Sequence, residues 1–342
     1  MTLSVERFTA AATEWDGLVR RSTGWTHFHL YGWRAVIERA FGHECVYLGA
    51  RDSAGNLAGV LPLGYVKSLL FGRFLVSMPF VNYGGPLGSD EAVAALGAAA
   101  VEEGRRRGVK LVELRSRVEA PVGLAASHRK ITVLLDLPEG GPDLAWKALP
   151  AKLRSQIRRP QKEGIEVRFG REQLEPFYRV FARHMRDLGT PVQSRRLFES
   201  IADVFSDDVW FASAYLNGQP VAGGCGFAWA SEFEITWASA LREHSTLAPN
   251  MLVYWSMIER CAREGIRTFN FGRCTPDSGT HRFKRQWGGR DVPLWWYQWA
   301  REGVVGTPSP DDGAYSWGPA IWRRLPLGLA NALGPMVVRY VP

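Results

Sequence analysis

The order of apolar segments in this 342-residue chain repeats once, and the repeat limits the folds that the chain can adopt. Alternating or continuous apolar runs indicate strands, whereas apolar residues three or four apart indicate helices. Each half begins with a strand, followed by helical segments, several antiparallel strands, a helix and further strands. The clearest turn signal is Asn217-Gly218, which is typical of a two-residue hairpin. The repeat predicts two copies of one α+β unit.

The predicted order matches the acyl-CoA N-acyltransferase (GNAT-like) fold, here in tandem. For the first half we predict strands over 3–8, 45–50, 57–66, 74–81, 111–115 and 131–135, and helices over 26–41 and 90–107. For the second half we predict strands over 165–169, 209–215, 219–229, 232–239, 268–271 and 294–299, and helices over 172–188, 194–205, 248–264 and 281–287. The resulting domains are an N-terminal GNAT-like domain (1–149), a C-terminal one (150–303) and a Pro/Gly-rich, then basic and apolar tail (304–342).

Charge and cysteine content restrict the partners and the compartment. With 42 Lys and Arg against 34 Asp and Glu, the net charge is +8, which favours RNA, nucleotide phosphates or a membrane surface, or serves solubility alone. The four cysteines contain no C-x-x-C pair, and no third ligand lies near His27 and His29, so neither a zinc site nor a disulfide framework is expected. No signal peptide or spanning segment is recognisable. We therefore expect a cytoplasmic protein, peripheral to the inner face of the membrane if its tail binds lipid.

The tail admits two interpretations. Arg323, Arg324 and Arg339 flank an apolar stretch that includes Trp322, a pattern that suits a membrane interface. The alternative is a terminal segment that packs on the second domain.

A basic segment opens the second half. On a helix its arginines would lie one turn apart, so that two guanidinium groups could bind one phosphate chain. It has no aromatic residue for base stacking, so it indicates recognition of phosphates and not of sequence. No DNA partner is expected. A solvated basic face is the alternative. Its cations are Lys152, Arg154, Arg158, Arg159 and Lys162.

The stretch from Phe269 to Gly289 concentrates polar and cationic residues after a predicted strand. A loop of Thr, Pro, Asp, Ser and Gly leads into a short helix, a place where backbone N–H groups bind anions and developing oxyanions. Arg273, His281 and Lys284 are positioned to meet there. We therefore expect function in this loop rather than core packing.

Glu234 lies in the middle of the strand predicted over 232–239, on the same face as Glu232 and Thr236. A carboxylate there is a candidate to receive the proton of an attacking ammonium, directly or through water. An exposed sheet face with a surface glutamate is the alternative.

The glycine-rich turn with which acyl-CoA enzymes of this fold hold a pyrophosphate is missing. The second half reads SALREHSTLAPNMLVYW where that turn is expected, and the glycines of VNYGGPLGSDEAV in the first half have another spacing. A simple acetyl-CoA site is therefore disfavoured.

Several strings in order carry a family resemblance. They are AKLRSQIRRPQKEGIEV, FYRVFARHMRDLGTPV, PNMLVYW, FGRCTPDSGTHRFKRQWGG and RRLPLGLANALGPMV. With them the chain resembles the Fem family of tRNA-dependent aminoacyltransferases, which are tandem GNAT-like proteins. It more closely resembles the Fem-related proteins associated with exosortase (PEP-CTERM) and exopolysaccharide loci. The family pattern has aspartate at Asn270 and serine at Cys274, so these two positions depart from it.

The resemblance implies roles for individual residues. Lys284 matches a lysine of the family's aromatic-Lys motif and would bind the developing oxyanion or the terminal ribose, while Arg273 would bind a phosphate or carboxylate of the substrate. Glu234 and His281 complete the catalytic set, and the basic segment would hold tRNA phosphates. Neither metal nor cofactor is implied beyond the co-substrate, aminoacyl-tRNA or acyl-CoA. Further substrate-binding residues implied by the strings are Asn250, Asn270, Phe283, Trp287, Arg186 and Asp187.

Three functions are compatible with these observations. The first is an amide-forming aminoacyltransferase that uses charged tRNA and an amine on a cell-wall or exopolysaccharide precursor. The second is an N-acyltransferase that uses acyl-CoA or acyl-carrier protein on an amino sugar or amino acid. The third is a non-catalytic component of polysaccharide assembly.

Overall fold

The computed structural model of the chain describes residues 3–68, 71–303 and 317–341. These residues form two mixed sheets with helices against them, so the prediction of an α+β fold is confirmed. Among the helices within these ranges, none combines the length and the apolar character that crossing a bilayer requires.

The chain divides into two compact units, at a different place from the predicted boundary of 149/150. The first unit ends at Lys130 and resumes at Pro293, and the second contains Ile131–Val292. The strand at Ile131–Asp136 pairs with the second sheet, whereas the strand at Trp295–Ala300 pairs with the first. The sequence order placed the first of these strands in the N-terminal domain and the second in the C-terminal domain, but each belongs to the opposite unit. The reason is that pairing between segments distant in sequence leaves no local signal.

Within the described residues, the first unit contains eight strands in the order β1-β2-β3-β4-β6-β15-β7, with β5 beside β3. The strands are β1 (Ser4–Arg7), β2 (Glu44–Arg51), β3 (Leu57–Ser68), β4 (Gly72–Ser77), β5 (Leu87–Gly88), β6 (Leu111–Ser116), β7 (Ala126–Ser127) and β15 (Trp295–Ala300). The helices are α1 (Ala12–Arg21), α2 (Trp33–Phe41) and α3 (Asp90–Arg107), with a 3-10 turn at His27–His29. The single helix predicted over 26–41 is therefore broken, and α1 was not predicted. The limits of α3 follow from its Ser89 cap and from left-handed Gly108.

In the part of the second unit that the structure describes, seven strands follow the order β14-β8-β13-β12-β11-β10-β9. The strands are β8 (Ile131–Asp136), β9 (Glu166–Phe169), β10 (Val209–Leu216), β11 (Gln219–Trp229), β12 (Glu232–Ala240), β13 (Thr268–Cys274) and β14 (Arg290–Pro293). The helices are α4 (Pro142–Ala148), α5 (Ala151–Lys162), α6 (Leu174–Leu188), α7 (Arg195–Val204), α8 (Pro249–Arg263) and α9 (Gly279–Arg285). Two 3-10 segments, Arg171–Gln173 and Arg242–Leu247, complete the unit.

The described part of the tail, residues 317–341, forms two helices that were not predicted from the sequence. They are α10 (Trp317–Trp322) and α11 (Leu327–Val338), and residues up to Pro335 belong to the second unit. The earlier part of the tail, residues 304–316, lies outside the described residues.

Candidate active site

The two central strands of the second unit diverge, and the divergence creates the candidate site. β12 and β13 run parallel and pair at three positions, the last being Glu234 with Asn270. Beyond that pair β12 follows β11 as far as Ala240, while β13 follows β8 as far as Cys274. Helix α8 connects the two strands. A gap at the carboxyl ends of neighbouring parallel strands is a usual place for a ligand.

A cavity of about 290 Å³ occupies this end of the sheet. The end of β12, the first turns of α8 and helix α9 supply most of its wall, and one residue each from α6 and β11 completes it. The lining residues are His184, Gly223, Ala238, Ser239, Ala240, Asn250, Val253, Tyr254, Gly279, Thr280 and Phe283.

A buried polar cluster lies where the two strands part. The Asn270 amide donates to Glu232 Oε1 at 2.8 Å and to Glu234 Oε2 at 3.0 Å. Its oxygen accepts from Thr132 Oγ1 at 2.6 Å and from the Gly272 N–H at 2.8 Å. The amide thus satisfies two carboxylates and two donors, which a buried polar group needs. Asn270 therefore holds Glu234 in place. An amide at this position, where the Fem family pattern has aspartate, can donate to both acidic neighbours.

The Asn270→Asp variant is expected to be less stable than the wild type by about 1–3 kcal/mol at pH 7.5, because it loses two donors and adds a third carboxylate. Denaturant unfolding at pH 7.5 measures it, with Asn250→Asp as the control at the start of α8. Equal stability of the two variants at pH 7.5 would show that the amide does not hold the cluster together.

Lys284 is buried beside this cluster, with 3% of its surface exposed. Its Nζ donates to the carbonyls of Gly272 at 2.7 Å and Arg273 at 2.9 Å. Those carbonyls lie where the pairing of β13 with β8 is irregular, at left-handed Gly272. Burial lowers the pKa of Lys284 to about 8, although Cys274 and Glu234 oppose the shift. Lys284 is thus a buried cation whose charge depends on pH near 8, and it follows the cavity residue Phe283 in sequence.

The structure brings two of the predicted substrate-binding residues into the cavity wall. Asn250 is in the first turn of α8, and Phe283 packs against Tyr254 with ring centroids 5.0 Å apart. Glu234, Lys284 and Arg273 are not among the lining residues. The first two are buried at the polar cluster, and Arg273 is half-buried.

Other predicted residues are placed away from the cavity wall. Trp287 is in the hydrophobic core, where it contacts Tyr254 and Phe271. His281 accepts from the Asp277 N–H through Nδ1, and its Nε2 pairs with Asp291. These partners hold His281 at the start of α9.

Arg186 and Asp187 form an ion pair with each other at 2.7 Å, near the end of α6. The Arg186 guanidinium also donates to the Leu325 carbonyl of the tail. The pair therefore fastens the tail to α6 and does not line the cavity.

His184, Ser239, Tyr254 and Thr280 line the cavity but were not predicted. Burial lowers the pKa of His184, so its imidazole is neutral at pH 7. In the sequence, His184 stands two residues before Arg186, which was predicted to bind substrate, on one amphipathic helix. The amphipathic pattern does not show which face of that helix meets the cavity.

The basic segment forms α5, with Leu153, Ile157 and Pro160 buried. Arg154 donates to the carbonyls of Lys147 and Leu149, so it caps α4. Arg158 lies over the Trp146 ring at 5.3 Å. Lys152, Arg158, Arg159 and Lys162 are exposed.

Comparison with known proteins places this site in a recognised domain. Residues 149–285 match the family model described as an acetyltransferase (GNAT) domain. No curated protein matches the sequence.

Solved structures extend the comparison to most of the chain. FemX is 15% identical, with a TM-score of 0.68 over 87% of this chain and 97% of its own. L-PGS from Bacillus licheniformis is 12% identical, with a TM-score of 0.57 over 85% and 92%. A tandem GNAT protein from the clavulanic acid biosynthesis pathway is 14% identical, with a TM-score of 0.57 over 89% and 100%.

The chain therefore has a tandem GNAT-like fold, and its residues 149–285 match an acetyltransferase (GNAT) domain. Its fold is similar to that of FemX. The sequence-based predictions of fold class and of a transferase are confirmed.

Proposed function

We propose that the second unit transfers an amino acid from the 3′ ester of a charged tRNA to an amine on a cell-envelope or exopolysaccharide precursor. The observation that carries the proposal is the buried Lys284 ammonium beside the cavity where β12 and β13 diverge. An ester carbonyl that is attacked there acquires negative charge, and we assign the buried ammonium beside the cavity wall to stabilise that charge in a low-dielectric setting.

The reaction forms one bond and breaks one. A neutral amine attacks the ester carbonyl, and the tetrahedral intermediate bears an oxyanion. The nitrogen loses a proton, the C–O bond to the ribose breaks, and the ribose oxygen gains a proton as the amide forms. The chain must therefore supply a proton acceptor and a positive field.

His184 suits the proton acceptor because it lines the cavity and burial keeps its imidazole neutral. Glu234 is buried and bound by Asn270, so we assign it to balance the charge of Lys284 rather than to take the proton. His281, paired with Asp291, orients the start of α9.

The exposed cations of α5 support a polyanionic donor. Lys152, Arg159 and Lys162 are exposed on a helix without acidic residues between Ala151 and Lys162. Nothing in this helix stacks on bases, which suits a tRNA recognised through its phosphates.

The Lys152→Glu/Arg159→Glu/Lys162→Glu variant is expected to bind tRNA at least tenfold more weakly at 50 mM salt. The slope of log affinity against log salt should fall by about two, because each lost phosphate contact removes about 0.7–0.9 from the slope. Filter binding at several salt concentrations measures both quantities. Arg20→Glu/Arg21→Glu/Lys67→Glu makes the same charge change on exposed cations of the first unit. Equal losses in both variants would mean that net charge alone attracts the RNA.

An acyl-CoA donor is the second candidate, and the GNAT family match favours it. The backbone before α8 argues against a pyrophosphate site. Pro249 has no N–H, the Ala248 N–H binds the Ser245 carbonyl, and the Met251 N–H binds the Ala248 carbonyl.

Ligand-induced stabilisation separates the two donors, because a ligand that binds only the folded chain raises its melting temperature. We expect charged tRNA to raise it and CoA to leave it unchanged. The transfer assay then follows loss of labelled amino acid from tRNA with and without an amine acceptor. Stabilisation by CoA together with no tRNA binding at low salt would replace the proposed donor.

A further inference from the structure

Exposed apolar side chains are concentrated in one short stretch of the tail. Eight large hydrophobic side chains are exposed among the residues that the structure describes, and five of them lie between positions 321 and 337. The five are Ile321 (52%), Leu329 (46%), Leu333 (37%), Met336 (63%) and Val337 (37%). A contiguous exposed apolar patch commonly marks an interaction site.

The exposed residues of α11 form one helical face. Positions 329, 332, 333, 336 and 337 follow the spacing i, i+3, i+4, i+7 and i+8, and all five are apolar and exposed. On the other side Ala330 and Gly334 are buried. A Cβ at Gly334 would lie 2.8 Å from the Val192 N atom, so this side is in tight backbone contact. The close contact fixes the rotation of α11, and the apolar face is held outward.

The charge of the same segment is entirely positive. Residues 317–341 contain Arg323, Arg324 and Arg339 and no Asp or Glu. Arg323 donates to the Leu188 carbonyl and Arg324 is exposed, both just before the first turn of α11. Exposed apolar residues next to exposed arginines are complementary to a surface with an apolar interior and anionic headgroups.

We propose that this face of α11, with Ile321, Arg323 and Arg324, docks the protein on an anionic lipid bilayer. A helix of 12 residues is about 18 Å long, well short of the roughly 30 Å hydrocarbon core, so α11 lies in the plane of the interface. Leu329, Leu333 and Met336 enter the boundary between headgroups and acyl chains, and the arginines bind lipid phosphates. The inference depends on the tail alone and stands apart from the proposed transfer reaction.

Co-sedimentation of the full chain with vesicles tests the proposal. We expect binding to phosphatidylcholine/phosphatidylglycerol (1:1) vesicles at 50 mM salt, and at least tenfold weaker binding to pure phosphatidylcholine. Leu329→Ser/Leu333→Ser/Met336→Ser should reduce partitioning into the mixed vesicles at least tenfold. Arg324→Ala should reduce it about fivefold, the contribution of one basic residue near an anionic surface.

The controls use side chains of matched exposure elsewhere. Val118→Ser/Leu144→Ser removes two exposed apolar side chains, and Arg196→Ala removes an exposed arginine of α7. Neither should change partitioning. The substituted positions are exposed, so thermal melting should be preserved, and Met336→Ser alone serves as a milder variant.

Two results would overturn the proposal. One is equal sedimentation of the wild type and the triple serine variant with the mixed vesicles, including the case in which neither binds. The other is a wild-type dimer in velocity sedimentation that the triple variant converts to a monomer without any change in vesicle binding, which would assign the face to a second copy of the chain.

Discussion

The Lys284→Met variant is expected to transfer its acyl group about 10²–10³-fold more slowly than the wild type, the usual loss when one oxyanion-stabilising group is removed. The methionine fills a similar volume but removes the ammonium that donates to the Gly272 and Arg273 carbonyls. Lys147→Met, which removes an exposed lysine of α4, is the control and should keep full activity. Steady-state transfer with saturating donor measures both variants.

The pH dependence of activity separates the effect of the Lys284 charge from the effect of its packing. Because burial lowers its pKa to about 8, activity that needs the ammonium should fall as pH rises through about 8. Lys284→Arg keeps the charge to a higher pH, so the alkaline decline should disappear in any activity that remains. An alkaline decline that is unchanged in Lys284→Arg would assign it to another group.

The same pKa predicts a change in stability. Burial disfavours the ammonium in the folded chain and lowers the pKa of Lys284 from 10.5 to about 8. At about 1.4 kcal/mol for each pH unit of this shift, burial lowers the free energy of unfolding by about 3 kcal/mol below pH 8. That cost is relieved as pH rises from 8 towards the ordinary lysine pKa of 10.5. Relative to Lys284→Met, the wild type should therefore gain stability over this interval. Parallel curves for the two chains would mean that Lys284 titrates normally.

The His184→Asn variant is expected to lose about 10²–10⁴ in turnover, the range for a general base. A neutral imidazole must be present to accept the proton, and burial lowers the pKa of His184. The fall in wild-type activity at acid pH should therefore occur below the ordinary histidine pKa of 6.5. It should be absent from the residual activity of the variant. Donor binding should be unchanged, so the loss appears in kcat.

His244→Asn is the matched control, because His244 is a half-buried histidine of the same unit that lies next to Glu243 and does not line this cavity. It should retain wild-type turnover. If His184→Asn is as active as this control, then a water molecule or the substrate itself takes the proton, and His184 only shapes the cavity.

The element order could be read from the sequence because hydrophobic period and turn residues are local. The end of α3 was predicted because Gly108 follows it directly in sequence. The domain boundary was displaced because the placement of β8 and β15 depends on pairing with β13 and β6. Neither partner is recognisable from the strand itself.

The same limit applies to the site. Lys284 stood out because a loop of polar residues precedes a short cationic helix, although its burial and its carbonyl partners are tertiary facts. His184 was not predicted because the amphipathic pattern of α6 does not show which of its residues reach the cavity. That depends on how α6 lies against β11 and β12. Trp287 was assigned to substrate because an aromatic next to the cationic motif looks the same whether it faces the core or a ligand.

The central claim is that the activated carbonyl binds where β12 and β13 diverge. Crosslinking with a tRNA whose amino acid carries a photoreactive side chain tests it most directly, with the labelled peptide identified by mass spectrometry. Labelling is expected within residues 238–254 or 279–283, and the label should be lost when uncharged tRNA competes. Labelling confined to residues 3–130 would contradict it.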